Sequence, residues 1–148
     1  MTTWQLNLDD VTHEFDPELR IVHLSAKRVV HIRTSEQGVL IGEALEAILK
    51  AHLEHERGYL VTDISKIVIE PADVELYATK INALAERYLY PHGIARYGYA
   101  IGRITVMLSH ESNLIRDLNL FASREEAIAF VKGLEVRRME IAQLQAQP

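Results

Sequence analysis

The chain contains no cysteine in 148 residues. That excludes a disulfide framework, a thiolate metal site and a cysteine nucleophile. It has no excess of basic residues either: 16 Lys and Arg stand against 21 Asp and Glu, a formal charge of −5. A mildly acidic surface argues against a nucleic-acid binder whose affinity rests on phosphate neutralisation. No apolar run approaches the roughly 20 residues that span a bilayer, so no membrane insertion is expected. The first ten residues, MTTWQLNLDD, carry neither the basic nor the apolar region of a signal peptide, and a cytoplasmic protein is expected. Repeats, low-complexity tracts and linkers are missing from the pattern. The length suits one domain with a sizeable core. Hydrophobic content of 48% and 25% charged residues are ordinary globular values.

The most informative stretch is Gly58-Tyr59-Leu60-Val61-Thr62-Asp63-Ile64-Ser65. It is a short apolar run, set between two helical patterns, that ends abruptly in Asp-x-Ser. A buried parallel strand reads this way, and its carboxyl end is where α/β domains place ligands. Ahead of it, Trp4, Leu6 and Leu8 alternate with polar residues as in a half-buried strand, and Asp16-Pro17 marks a turn. Leu19 to Leu24 and Val29 to Ile32, separated by Ser25 to Arg28, predict an antiparallel hairpin. Ile41, Ala44, Leu45, Ile48, Leu49 and Leu53 then recur at helical spacing, which predicts a helix from about Gly42 to Glu56 stopped by Arg57-Gly58.

A second helix is predicted from Pro71 through Tyr88, terminated by Pro91-His92-Gly93. Ile94 to Ile101 is compatible with a strand. Arg103 to Leu108 fits strand or helix. Leu118 to Phe121 reads as a last short strand. Ser123-Arg-Glu-Glu126 is a capping box that opens a final helix. Helices alternate with strands after the hairpin, which implies a mixed sheet, parallel in its later part.

Candidate chemistry is sparse. Asp63 and Ser65 could meet a ligand at a strand end, although Asp and Ser in that position more commonly cap a turn. No G-x-S-x-G surrounds Ser65. His52 and His55 lie three apart with Glu56 beside them, a spacing able to hold a metal on a helix face, but a solvated helix end accounts for it more simply. The run Arg96-Tyr97-Gly98-Tyr99-Ala100-Ile101-Gly102-Arg103 is the most unusual in composition. Its arginines offer planar forks for carboxylate or phosphate, and its tyrosines and glycines could wall a pocket for an anionic or aromatic ligand. The plainer alternative is a surface strand whose arginines pair with glutamates.

The order hairpin, helix, LVTDIS, helix, then a short strand before a helix opened by SREEAIAFV resembles the STAS-like fold. This is the domain of anti-sigma factor antagonists and of sulfate-transporter tails. The similarity is closest to small bacterial antagonist-like proteins, in which a strand ending in Asp-x-Ser and a late Phe, Glu-Glu-Ala, aromatic run are typical. Those features correspond here to Val61 to Ser65 and to Phe121 through Phe130, and the resemblance covers residues 14 to 134. Antagonists of this family carry a second Asp-Ser that starts the next helix, its serine being a phosphorylation switch. Residues 67–74 here read IVIEPADV and hold no serine, so that switch does not carry over, and Ser65 is not its equivalent.

The expected fold is therefore a single STAS-like α/β domain over residues 1–134. It has a mixed sheet with an N-terminal hairpin and parallel later strands, flanked by roughly three to four helices. Residues 135–148 form a polar tail, helical or frayed. The resemblance implies a non-catalytic cytoplasmic regulatory or interaction domain that binds a protein partner or a small ligand. A pocket protein for an anionic or lipid-like molecule is the alternative, and a small enzyme built on Asp63 and a histidine comes third. No catalytic residue, metal or cofactor is assigned. The expected ligand-binding residues are Asp63, Ser65, Arg96, Tyr97 and Arg103, and homodimerisation is expected through a helix face or the N-terminal edge strand.

Overall fold

A strand buried on both faces must carry apolar side chains at successive positions, and Gly58–Asp63 does so from its first residue. In the computed structural model, which describes residues 8–69, 74–98, 107, 112–114 and 116–147, this strand is central. The strands and helices in chain order are β1 (Val11–Asp16), β2 (Ile21–Ala26), β3 (Val30–Ile32), α1 (Ser35–Leu53), β4 (Gly58–Asp63), β5 (Ile67–Ile69), α2 (Val74–Tyr88), β6 (Leu89–Tyr97), β7 (Leu120–Phe121) and α3 (Arg124–Ala146). A five-stranded sheet runs β1-β2-β4-β6-β7. Strand β1 is antiparallel to β2, and the other pairs are parallel. Strands β3 and β5 make a separate two-stranded parallel ribbon. The chain is thus a single α/β domain with a mixed sheet and, among the described residues, three α-helices.

The pleat sorts the side chains into two cores. Val22, Leu24, Leu60 and Ile94 face Leu45, Leu49 and Leu53 of α1 and Ile81, Leu84 and Tyr88 of α2. Ile21, Tyr59, Val61 and Ala95 face Ala127 and Val131 of α3 on the other side. Both faces of the sheet are therefore covered. Each fully buried Val or Leu contributes about 1.5–3 kcal/mol relative to exposure. Because β2, β4 and β6 are laid down in one direction, α1 and α2 fall on the same face.

Helix ends are secured by side chains. Thr34 accepts from the Gln37 amide at 3.2 Å while the Gln37 side chain accepts from the Arg33 amide at 2.7 Å, so α1 starts in a reciprocal cap. Ser123 accepts from the Glu126 amide at 3.2 Å, and Glu126 accepts from the Ala122 amide at 3.0 Å. Two arginines close the opposite ends. Arg20 donates to the carbonyls of His52 in the last turn of α1 and of Glu56 and Arg57 beyond it, and Arg57 donates to those of Glu86 in the last turn of α2 and of Leu89 beyond it. The last-turn carbonyls are ones that a helix leaves without partners of its own.

Four expectations are corrected. The hairpin is formed by β1 and β2 around an Asp16 turn, in which the Asp16 carboxylate accepts from the amides of Glu18 and Leu19. Strand β3 leaves that sheet to pair with β5, so Ser25 to Arg28 is not a hairpin loop. Helix α1 begins seven residues earlier than the apolar stripe implies, because the Thr34 cap sets its start. Gly58 does not stop that helix; it opens β4, where a Cβ would lie 2.4 Å from the Arg20 carbonyl oxygen and 2.6 Å from Leu53 Cδ2. Pro91-His92-Gly93 does not end α2 either. That helix stops at Tyr88, and the triplet sits in a bulge of β6, where the register with β4 jumps between Gly58↔Leu89 and Leu60↔Ile94. A bulge needs no ladder hydrogen bond from a proline. Of the two forms expected for the polar tail, the structure has the helical one: α3 runs unbroken to Ala146, about 35 Å at 1.5 Å per residue. The expected strand at Trp4 to Leu8 lies largely outside the described residues, and Pro71 and the segment from Arg103 lie outside them except for Met107, which is helical. Among the described residues, no helix is long and apolar enough to cross a membrane.

Candidate functional site

Strand geometry divides the expected site residues. Asp63 and Tyr97 are register partners on the α3 face of the sheet. Asp63 Oδ1 accepts from the Ser65 amide at 2.9 Å, and the Ile64 amide donates to the Tyr97 carbonyl at 2.9 Å. The Asp-x-Ser turn is thereby tied to β6. Gly98 closes against it with φ +114°, and a Cβ there would lie 3.1 Å from both Asp63 Oδ1 and the Ser65 amide nitrogen. Asp63 and Ser65 act in this arrangement as turn-forming groups.

The same face holds a residue that was not singled out for the site. His23, 8% exposed, places Nε2 at 2.6 Å from the Tyr97 hydroxyl, with the rings stacked at 5.8 Å between centroids. Burial, and then the Arg124 charge, hold the imidazole below its usual pKa against the opposing pull of Glu14 and Asp63. Burial raises the Tyr97 phenol. Tyr97 thus stays protonated beside a largely neutral His23, a buried polar pair that satisfies itself. Deeper along α3, the Tyr59 hydroxyl donates to Glu135, whose carboxylate also accepts from Arg138 at 2.6 and 3.0 Å. Arg138 lies 4.4 Å from the centroid of the Tyr90 ring.

Arg96, one residue before Tyr97, points to the opposite side. Its side chain is in the α1 and α2 layer and only 5% exposed. Nη1 donates to the Asp117 carbonyl at 2.8 Å and the Leu118 carbonyl at 3.3 Å. Among the described residues the guanidinium makes no other hydrogen bond and no ion pair, so its Nε and Nη2 edge is uncommitted. Burial draws the guanidinium below its usual pKa, opposed by Tyr77 and Asp117. Burial in turn raises Tyr77.

Two spaces border Arg96. One is a cavity of about 70 Å³ between the sheet and the two helices, whose described lining is apolar apart from Ser25, Thr62, Tyr77 and Arg96 itself. The other is a cleft of about 590 Å³ edged by Arg57, Asn82, Glu86, His92, Arg116 and Asp117. Its rim is well tied. His92 Nδ1 lies 2.8 Å from Asp117 Oδ1, and Asn119 Nδ2 donates to the carbonyls of His92 at 3.2 Å and Ile94 at 2.9 Å. The Arg96 amide donates to the Asn119 carbonyl at 2.9 Å. These bonds fix the 117–119 segment, and with it the two carbonyls that hold Arg96.

The structure therefore groups Asp63, Ser65 and Tyr97, sends Arg96 to the other face, and leaves Arg103 outside the described residues. One signal in the sequence separates Arg96 from Tyr97: adjacent residues on a strand cannot face the same way. The roles of His23, Tyr77, Asn82 and Asp117 depend on tertiary packing and leave no local mark. His52 stacks on Phe15 at 4.5 Å between centroids, and α1 ends at Leu53, so His52 and His55 do not share a helix face. Among the described residues, no group of three His, Asp or Glu side chains is placed to hold a metal. The chain matches no family model, no curated protein and no solved structure.

Proposed function

We propose that the chain is a non-catalytic, STAS-like binding domain that takes a small anionic ligand in the cleft over Arg96. One observation carries the reading: a guanidinium 5% exposed, bonded through one nitrogen to two backbone carbonyls, with its other edge uncommitted among the described residues. A buried cation held only by backbone carbonyls is costly by several kcal/mol, since the nearby Asp117 carboxylate is taken up by His92, and an anion arriving at it offsets that cost. The planar fork of arginine matches an anionic oxygen pair in geometry as well as charge. At about 590 Å³ the cleft falls within the range of roughly 300–1,000 Å³ common to small-molecule sites. A regulatory role in the cytoplasm, with ligand occupancy taking the place of the missing phosphoserine, is consistent with the STAS-like element order.

Melting temperature in sodium butyrate, compared with sodium chloride at equal ionic strength, tests this. At about 100 times Kd, linkage stabilises by about 2.7 kcal/mol, a rise of about 5–10 °C for a domain of this size. The rise is expected in the wild type and absent in Arg96→Met. Equal shifts in both proteins would refute the proposal.

A second reading is favoured by α3, whose distal half exposes Val136, Met139, Ile141 and Leu144. On that reading two copies pair along this helix. Light scattering at high concentration would then give the mass of a dimer, and a clean monomer would end it.

A further inference from the structure

We infer that the ligand is amphipathic, a monocarboxylate that sets its head on Arg96 and a short apolar tail in the cavity beneath α1 and α2. The inference rests on the proposed anion site and names the ligand class for it. Cavity and cleft are not independent: Arg96, Ile81 and Ile94 line both. A ligand bound to Arg96 therefore lies near the two isoleucines that line both spaces.

The two spaces differ in chemistry. The cleft rim carries Arg57 and Arg116 but also Glu86 and Asp117. Those carboxylates disfavour a dianionic head such as phosphate, while the Nε and Nη2 edge of one arginine suits a single carboxylate held side-on. On the cavity side the walls are Leu45, Ile48, Leu60 and their neighbours, and among the described lining residues Arg96 is the one charged group. A tail entering there must be uncharged and largely apolar. Size sets its length. The cavity, at about 70 Å³, is near half the roughly 150 Å³ that admits benzene, which corresponds to about three carbons. Butyrate fits this description; a long acyl chain or an aromatic ring does not, unless the helices part.

Calorimetric titration with acetate, propionate, butyrate, hexanoate and octanoate at pH 7 reads the tail directly. Burial of each methylene is expected to tighten binding about four-fold from acetate to butyrate, with the gain ending once the cavity is full. Ala44→Leu, which adds bulk to the cavity wall, is expected to cancel the chain-length gain. A flat series with binding that still depends on Arg96 overturns this inference alone, as does a gain that survives Ala44→Leu. No binding by any member of the series overturns both the inference and the anion site beneath it.

Discussion

Gly58→Ala separates two explanations for the glycine that precedes the central strand. If Gly58 served as a helix stop, its value would lie in a left-handed backbone, and asparagine would substitute tolerably. In the structure Gly58 is instead a close-approach residue, absent from the positive-φ positions, with the Arg20 carbonyl oxygen 2.4 Å and Leu53 Cδ2 2.6 Å from where a Cβ would stand. The Arg20 carbonyl cannot simply retreat, because it accepts from the Tyr59 amide at 2.9 Å and the Arg20 side chain holds the end of α1. Overpacking against backbone costs about 1–3 kcal/mol and a strained backbone hydrogen bond about 1 more. The expected loss is about 3 kcal/mol, read by urea unfolding at constant m, with a fall in Tm of about 6–12 °C. Asparagine at this position should be at least as damaging. Gly133→Ala is the internal control: no atom among the described residues lies within 4 Å of its Cβ position in mid-α3, so helix propensity alone should stabilise by about 1 kcal/mol. A Gly58→Ala protein within about 0.5 kcal/mol of the wild type, or one rescued by asparagine, would refute the packing account.

Two further predictions concern polar groups on the α3 face. Glu135→Ala leaves the Tyr59 hydroxyl buried without its acceptor and should cost about 1–3 kcal/mol, most of it recovered when Tyr59→Phe is added; a double-mutant cycle by urea unfolding checks this. The hydrogen bond from Arg138 is the main cause that holds the Glu135 carboxyl below its usual pKa of 4.5, so its contribution is present above pH 4.5 and lost as pH falls through the folded-state value. Glu135→Gln should therefore flatten the acid limb of the stability profile. His23 has the opposite ionisation but the same direction with pH: burial holds its folded pKa below 6.5, so the unfolded chain takes up its proton first as pH falls. Stability should be full above pH 6.5 and decline below it until the folded-state pKa is reached, and His23→Gln, measured by thermal melts from pH 7.5 to 5, should remove that slope.

The parts of the fold legible in the sequence are those fixed by local chemistry. The unbroken apolar run identified β4, helical spacing identified α2, and Ser123 with Glu126 marked the start of α3 within a residue. Thr34-x-x-Gln37 carried the same kind of signal for α1, but Val39 and Leu40 are exposed and fall outside the apolar stripe, which drew the expected start to Gly42. Strand pairing was less legible because it is non-local. Val30–Ile32 has hairpin composition, yet its partner is Ile67–Ile69, beyond α1 and β4. The candidate site divided for a similar reason. Composition placed Arg96 and Tyr97 together, the pleat parts them, and only the packed fold shows which of the two meets an enclosed space.

The central claim is that Arg96 binds an anion, and the guanidinium can be watched directly. Side-chain Nε–Hε resonances of 15N-labelled protein, assigned by Arg96→Met, would be followed while sodium butyrate is added at constant ionic strength. The predicted result is a saturable shift of the Arg96 resonance with the same midpoint as the calorimetric Kd, while those of Arg20 and Arg138, committed to carbonyls and to Glu135, stay in place. An Arg96 resonance that does not move, or that moves linearly along with all the other arginines, would contradict it.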